Sequence, residues 1–499
     1  MSVKEDFERE DVDTTAELTI DVIKKRAVRG IIILTGRGFI LNAVSAIALS
    51  LLWALLGQYE LGVFAIVSAT IGFLSYFSDI GLGAALIQKK GEPTETDLRT
   101  TFTVQLTLVT LAVTALFLFT PQLAARSNIS TDGIRLMYAF GISFFISSFR
   151  SIPTILLERK LEFVKYSIPS VLDTLVYNIV LVYCAWQGMG LNSFVYAVIL
   201  RSIVGVVSVY LLQPWKPGLS FSFSSPKSLF RFGIPYQLNS FIAVIKDQGI
   251  TIFLAGIIQP AGIGILDTSQ RMINLPFRFF MDQVSKVTFP AFSRMQEEKD
   301  HLIQSVNRTL FFVSLLTFPV IAGFVLISPL LFEVIPQYQK WLVAVPILPL
   351  LAINAFFATV SNPLYNLLYA IGKVRQTMYL MVMWAGLTWI LVPPLAIRYG
   401  VEGVAIALSL VGASSVVAIA IAHKYIPFSL WHSFGKPLVA SGVMVVAVYL
   451  ARFAVPPTVG GMSTLVLVGA VSYSSVIFTL VGASLVTDAK KFITAFRSK

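Results

Sequence analysis

Residues 31–57 read IIILTGRGFILNAVSAIALSLLWALLG, a long apolar stretch with a single charge, Arg37. A helix needs about 20 mainly apolar residues to cross the hydrocarbon core of a bilayer, and this stretch is longer than that. Similar stretches recur at 59–80, 101–120, 134–157, 166–186, 190–212, 229–254 and 266–290, then at 308–330, 341–370, 376–398, 400–422, 433–454 and 461–487. An all-α integral membrane fold of about fourteen transmembrane helices is therefore expected. The stretch 341–370 carries candidate kinks at Pro346, Pro349 and Pro363. Composition agrees with this reading. Of 499 residues 56% are hydrophobic and only 13% charged, against about a quarter charged in a soluble protein. So few charges cannot cover a surface that faces water.

Basic residues orient the chain. With the start of the chain inside, twenty-six of the 38 lysines and arginines fall in cytoplasmic segments, from Lys24, Lys25 and Arg26 to Lys490 and Lys491. Five fall outside, at Arg126, Arg135, Lys340, Arg398 and Arg452, and seven within spans. Retention of positive charge in the cytoplasm is the expected bias, so both termini are placed inside, at the cell (inner or plasma) membrane. The net charge of +12 follows from this topology, and no nucleic-acid partner is expected.

The expected organisation is an N-terminal cytoplasmic arm (1–30), a six-helix lobe (31–212), a cytoplasmic linker (213–228) and a second six-helix lobe (229–422). Two extra helices (433–487) and a cytoplasmic tail (488–499) complete it. Within the arm, DVIKKRAVRG (21–30) suits the anionic surface of a bilayer. A faint repeat supports the paired lobes: GQYELGVFAIV (57–67) and IIQPAGIGILDTS (257–269) both open a helix with a small glycine-containing turn. Acids follow each, at Asp79 and Asp282. Paired bundles of this kind are the plan of many secondary transporters.

Charges inside spans are costly and usually face water or a partner. The basic ones are Arg37, Arg150, Arg201, Lys246, Arg271, Arg278 and Lys286; the acids are Asp79, Asp173, Asp247, Asp267 and Asp282. In the stretch 266–290, Asp267, Arg271, Asn274, Arg278, Asp282 and Lys286 recur every three or four residues, which projects them as one stripe on a helix. Asn239 and Lys246, seven apart, share a face of the preceding helix. A stripe of this length marks the wall of a hydrated cavity. The plainer alternative is a set of i,i+4 ion pairs that only hold helices together, and Arg201 has a ready partner in Asp173. Bases outnumber acids, so the cavity favours an anion, and arginine suits phosphate. Arg37, Lys246, Arg271, Asn274, Arg278, Lys286 and Asn239 are the candidate anion-binding residues. Asp79, Asp173, Asp247, Asp267 and Asp282 are candidates for carrying a coupling proton or positioning an arginine.

Soluble-style catalysis is not indicated. The phosphate-binding loop of an ATPase is missing, since Gly435-Lys436 is followed by Pro437. A single cysteine, Cys184, and three scattered histidines, His301, His423 and His432, have no metal-ligand or triad spacing. No catalytic residue, metal or cofactor is expected.

Four stretches, FSDIGLGAALIQKKGEPTETDLRTTF (77–102), ILLERKLEFVKYSIP (155–169), FPAFSRMQEEKDHL (289–302) and SNPLYNLLYAIGKVRQ (361–376), resemble the polysaccharide repeat-unit flippases. The O-antigen, colanic-acid and xanthan type is the nearest in look, within the multidrug/oligosaccharidyl-lipid/polysaccharide exporter superfamily. The resemblance runs from about residue 30 to 430. It implies two six-helix lobes around a central cavity that opens alternately to each side, plus two C-terminal helices. It also implies a polyprenyl (undecaprenyl) diphosphate-linked oligosaccharide as substrate, moved from the inner to the outer leaflet for lipopolysaccharide or exopolysaccharide synthesis. Arginines in the first and eighth helices of such proteins correspond in place to Arg37, Arg271 and Arg278. A monomer is expected, with a polysaccharide polymerase and other assembly proteins as candidate partners. Alternatives are a peptidoglycan-precursor flippase, a multidrug exporter, which the cavity's sign disfavours, and a membrane polymerase or ligase. The last would need a sizeable external loop, and the longest here is 121–133.

The topology is directly testable. Reporter fusions at Gln58, Thr131 and Thr458 should read external and fusions at Gly91 and Lys499 internal; an external signal at Gly91 would undo the first hairpin.

Overall fold

The structure, a computed structural model, describes residues 20–78, 82–89, 91–220 and 241–497. Among them the chain is helical throughout, with no strand. The first helix, α1 (Ile20–Leu55), has 36 residues, about 54 Å at 1.5 Å per residue. Residues 20–30, read from the sequence as part of a terminal arm, are its opening turns. No proline lies between 20 and 55 to interrupt the hydrogen bonding. The same holds at the other end, where the last helix (Val459–Arg497) runs through the segment expected as a tail.

The helices that follow are α2 (Gln58–Ser78), α3 (Leu82–Gln88), α4 (Glu95–Arg126), α5 (Thr131–Ser148), α6 (Ser151–Arg159), α7 (Phe163–Trp186) and α8 (Asn192–Leu212). Thr94 caps α4 with a reciprocal bond pair: its Oγ1 accepts from the Asp97 backbone N–H at 3.2 Å, and its own N–H donates to Asp97 Oδ2 at 2.9 Å. Arg159 at the end of α6 donates to the carbonyls of Ile87 at 3.0 Å and Gly91 at 2.6 Å. It thereby closes the C-terminal end of α3 and ties together two of the four stretches that carry the family resemblance. The expected span 134–157 is two helices, α5 and α6, bent by 44°. The bend sets Arg150 at the break.

The second half holds α9 (Ile250–Arg294), preceded by a π-helical turn (Ile245–Gly249), then α10 (Lys299–Val334), α11 (Leu348–Ala370), α12 (Val374–Ala413) and α13 (Val416–Tyr425). The expected span 341–370 begins only at Leu348. Before it, Pro336–Ala344 is a three-ten helix, because Pro346 and Pro349 lack the N–H that an α-helix begun at 341 would need. Finally α14 (Lys436–Arg452) pairs with α15 (Val459–Arg497), and both lean on α10.

Eleven described stretches are long and apolar enough to cross a membrane, or twelve with the bent pair as one. The count of described spans does not by itself confirm the expected fourteen, because four expected spans run as two longer stretches, Phe241–Leu275 and Val374–Tyr425. A straight helix of the latter's 52 residues would be about 78 Å long, more than twice the hydrocarbon core. Each stretch contains a break: Gln259 at φ 61° in α9 and Gly400 at φ 59° in α12. A Cβ added to Gly403 would lie 1.9 Å from the Leu395 carbonyl oxygen. Residues eight apart lie about 12 Å apart along a straight helix, so the chain turns sharply at Gly400.

In the first half α7 packs on α8, α5 on α8, and α1 on α7; in the second, α11 packs on α12, α9 and α10. The halves meet chiefly through α2 and α9. A Cβ on Gly62 would fall 1.6 Å from the Pro260 carbonyl oxygen, and one on Gly264 would fall 1.8 Å from that of Gln58. Only glycine lets two helix backbones approach so closely. These glycines sit in the two segments of the faint repeat. Gly62→Val should therefore force the halves apart, and overpacking costs typically about 1–3 kcal/mol or more. The expected outcome is a clear fall in the thermal midpoint of the detergent-purified protein, whereas Gly386→Val, where a Cβ meets nothing within 4 Å, should leave it within about a degree or two.

Candidate functional site: a polar cavity between two halves

Where α1 gives way to α2, hydrogen bonds join the two halves. Tyr338 Oη donates to the Ser50 carbonyl at 2.8 Å, Lys340 Nζ to that of Ala54 at 2.8 Å, and Trp341 Nε1 to that of Trp53 at 2.8 Å. All three donors come from the three-ten helix 336–344. The carbonyls of Trp53 and Ala54 belong to the last turn of α1, where a helix supplies no partner of its own. Gln58 Nε2 donates back to the Lys340 carbonyl at 2.6 Å, and Asn128 Nδ2 donates to Gln259 Oε1 at 2.7 Å. Trp341 is fully buried. Burial holds the Lys340 amine below the usual lysine range, with Glu60 acting in the opposite sense.

Beyond this closure lie two cavities. The larger, about 540 Å³, is bounded by Lys246, Asp247, Gln248, Asp267, Gln270, Arg271 and Asn274, with Ser68 of α2, Asn354 of α11 and Thr388 of α12. The smaller, about 300 Å³, is bounded by Asn42 and Ser45 of α1, Thr174, Tyr177 and Asn178 of α7, and Arg201 of α8. Asp267 and Arg271 line both. Their ion pair, with Arg271 Nε 2.6 Å from Asp267 Oδ2, therefore stands where the two cavities adjoin. Lys246 and Asp247 pair with each other on the π-turn before α9. A π-turn inserts an extra residue into the helical register, a device frequent at functional sites, and here it sets two adjacent charges against the larger cavity.

Five sequence candidates thus come together: Lys246, Asp247, Asp267, Arg271 and Asn274. The i,i+4 pairing weighed as the plainer alternative is real at Asp267–Arg271, and the same pair also faces the cavities. Arg37 is placed differently. Its guanidinium carbon lies 5.6 Å from the centroid of the Tyr166 ring, and its Nε is buried without a hydrogen-bond partner among the described residues. It lines neither of the two cavities. Asp173 is 1% exposed and bound to Arg150, whose Nη1 donates to its Oδ2 at 2.7 Å. Asp79 and Asn239 lie outside the described residues. Arg278, Asp282 and Lys286 belong to α9 by their backbone, and their side chains lie outside those described.

Several lining residues escaped the sequence reading: Asn42, Ser45, Thr174, Tyr177, Asn178, Asn354 and Thr388. They are uncharged, and the search weighted charge. Spacing held a signal, since Asn42 and Ser45, and Thr174, Tyr177 and Asn178, recur at three or four residues within apolar spans.

The fold and cavity define a multi-pass, all-helical membrane protein whose two halves share a polar interior. Residues 51–346 match the family model described as polysaccharide biosynthesis protein, and the chain belongs to that family. It is 25% identical over 311 residues to the teichuronic acid biosynthesis protein TuaB of Bacillus subtilis (strain 168), covering 62% of this chain and 63% of that protein. That match spans less than two thirds of the relative's length. It is 23% identical over 364 residues to the lipopolysaccharide biosynthesis protein WzxC of Escherichia coli (strain K12), covering 72% and 71%. In fold it resembles the lipid II flippase MurJ in an inward closed conformation, at a TM-score of 0.73 and 16% identity, over 91% of this chain and 100% of that one. It also resembles a multidrug resistance MATE family transporter of the MOP superfamily in an inward-facing conformation, at 0.57 and 16%, over 80% and 98%.

The closure can be checked chemically. Cys184 is buried and replaceable by alanine, leaving Asn128→Cys and Gln259→Cys as the only thiols. A short bifunctional thiol reagent should join them. Adding Trp341→Phe, which keeps the ring but loses the N–H, should lower the cross-linking yield severalfold; an unchanged yield would remove Trp341 from the closure.

Proposed function

We propose that the protein is a flippase that moves polyprenyl diphosphate-linked oligosaccharides from the inner to the outer leaflet for surface polysaccharide synthesis. The observation that carries this reading is the polar cavity between the halves, walled by the Asp267–Arg271–Asn274 stripe of α9, in a chain of the polysaccharide biosynthesis family. Each part of such a substrate has a matching environment. The diphosphate takes guanidinium donors, which bind phosphate with two parallel bonds. The glycan takes the hydroxyl and amide groups of the walls. The lipid tail stays in the bilayer, which costs nothing in desolvation.

In this reading the α1–α2 turn faces outward and both chain ends lie in the cytoplasm of a cell-membrane protein, which the bias of lysine and arginine supports. The closure at 336–344 then seals the cavity from the exterior, and the state described is the one that receives substrate from within. Breaking the hydrogen bonds of Tyr338, Lys340 and Trp341 opens the outer side, giving alternating access between the halves. The carrier is a polyprenol, undecaprenol as the family resemblance implies. The chain has no ATP-binding loop, so the drive is an ion gradient, the membrane potential or consumption of product by a polymerase and other assembly partners. Asp247 and Asp267, both at the cavity, are the described acids placed to exchange a coupling proton or to hold an arginine in position.

Purified protein in liposomes should carry a polyprenyl diphosphate oligosaccharide across the bilayer without ATP, and Arg271→Ala should slow it about tenfold or more, the usual effect of losing a charge-assisted bond. Formation of polymer or ligated product with no transbilayer movement would place the protein among enzymes instead.

A further inference from the structure

Arg201 and Arg150 share one carboxylate, Asp173, and Arg201 holds the longer of the two contacts. Asp173 already has its partners: Arg150 Nη1 donates to Oδ2 at 2.7 Å and Thr174 Oγ1 to Oδ1 at 3.1 Å. Gly205, one turn beyond Arg201 on α8, makes room for that pair, since a Cβ there would meet Arg150 Nη1 at 2.9 Å. Arg201 Nε stands 3.6 Å from Asp173 Oδ1, beyond hydrogen-bond length, and its side chain is 45% exposed. Its guanidinium carbon lies 5.3 Å from the centroid of the Tyr177 ring. A guanidinium held over an aromatic ring can still bond through the N–H groups at its edge.

The edge belongs to the wall of the 300 Å³ cavity, where Arg271 of the other half also stands. Tyr177 lies within electrostatic reach of both. Around this cavity and its adjoining buried pair, the described residues hold three guanidinium groups (Arg150, Arg201, Arg271) and two carboxylates (Asp173, Asp267). One carboxylate cannot neutralise both Arg150 and Arg201, and the longer contact is that of Arg201. Two arginines on different halves, facing one polar space, repel in the absence of a ligand and are drawn to one that carries negative charge.

We propose that Arg201 is a substrate-binding residue, and that with Arg271 it clamps one oxyanionic group of the substrate between the two halves. The inference rests on the flippase reading above and extends it to a residue whose plainer reading in the sequence is a partner for Asp173. The oxyanion is a phosphate of the lipid carrier or a carboxylate of an acidic sugar. Either would bring α8 and α9 together as it binds, which links occupancy to movement of the halves.

Binding to the full-length protein in detergent distinguishes these cases, with geranyl diphosphate and glucuronate as probes. Arg201→Gln should weaken binding of the effective probe by about tenfold to a hundredfold, the loss typical of a charge-assisted bond, and Arg201→Lys should recover part of it. Loss confined to geranyl diphosphate assigns the clamp to phosphate; loss confined to glucuronate assigns it to a sugar carboxylate. Thermal midpoints separate binding from support of Asp173: Arg150→Gln should lower the midpoint markedly, and Arg201→Gln should not. If Arg201→Gln keeps wild-type affinity for both probes while Arg271→Gln loses at least tenfold, the role of Arg201 is overturned and the flippase reading stands. If wild-type protein binds neither probe, or neither variant changes affinity, the anion-binding cavity falls and both go with it.

Discussion

The contact on which the rest depends is the meeting of Gly62 and Gly264, where α2 and α9 touch backbone to backbone. It places the register of α9 against the other half of the molecule. From Gly264 the polar residues follow at three, four and three positions: Asp267, Arg271 and Asn274. In an α-helix this spacing keeps them on nearly one face, so a helix docked through Gly264 must direct them along the seam between the halves. On α2 the same logic applies one and two turns after Gly62, where Ala65, Ser68 and Ala69 line the larger cavity. These residues are small. The space left beside the seam is therefore wide enough to hold water and polar ligands instead of being filled by side chains.

Charge inside the membrane is handled in two ways. Asp173 is withdrawn from water and satisfied by Arg150, whose position depends on the bend between α5 and α6. A buried pair of this kind is strongly destabilised if one partner is removed. It holds α7 against the break, and Arg201 of the smaller cavity stands at a longer 3.6 Å from the same carboxylate. Asp267 and Arg271 are also paired, yet they remain partly exposed to a cavity that reaches both halves. Such a pair can exchange partners with a ligand without stranding a charge in an apolar interior.

The closure is built from bonds that are easily replaced. Its acceptors are carbonyls at the end of α1, which water can satisfy when the protein donors withdraw. Its donors sit on one short three-ten segment, so they move together. The two segments of the internal repeat, 57–67 and 257–269, meet at this same end. Resemblance within the chain and contact between its halves thus coincide.

Hydropathy alone was enough to establish an all-helical membrane protein, because a span is a property of consecutive residues. Helical spacing was likewise enough to group Asp267, Arg271 and Asn274, since a face is a property of one helix. Breaks were harder to read. Gln259 and Gly400 interrupt helices whose hydrogen bonding otherwise continues, and Pro346 and Pro349 moved the start of a span that composition had placed at 341. Which charges face the cavity was decided only by tertiary packing. Arg37 and Arg201 look alike in sequence, each a lone arginine in an apolar span. One stands beside Tyr166 and lines neither cavity; the other shares Asp173 with Arg150 and lines one. That choice depends on residues of different helices meeting at Asp173, and periodicity along a single helix holds no information about what the facing helix presents.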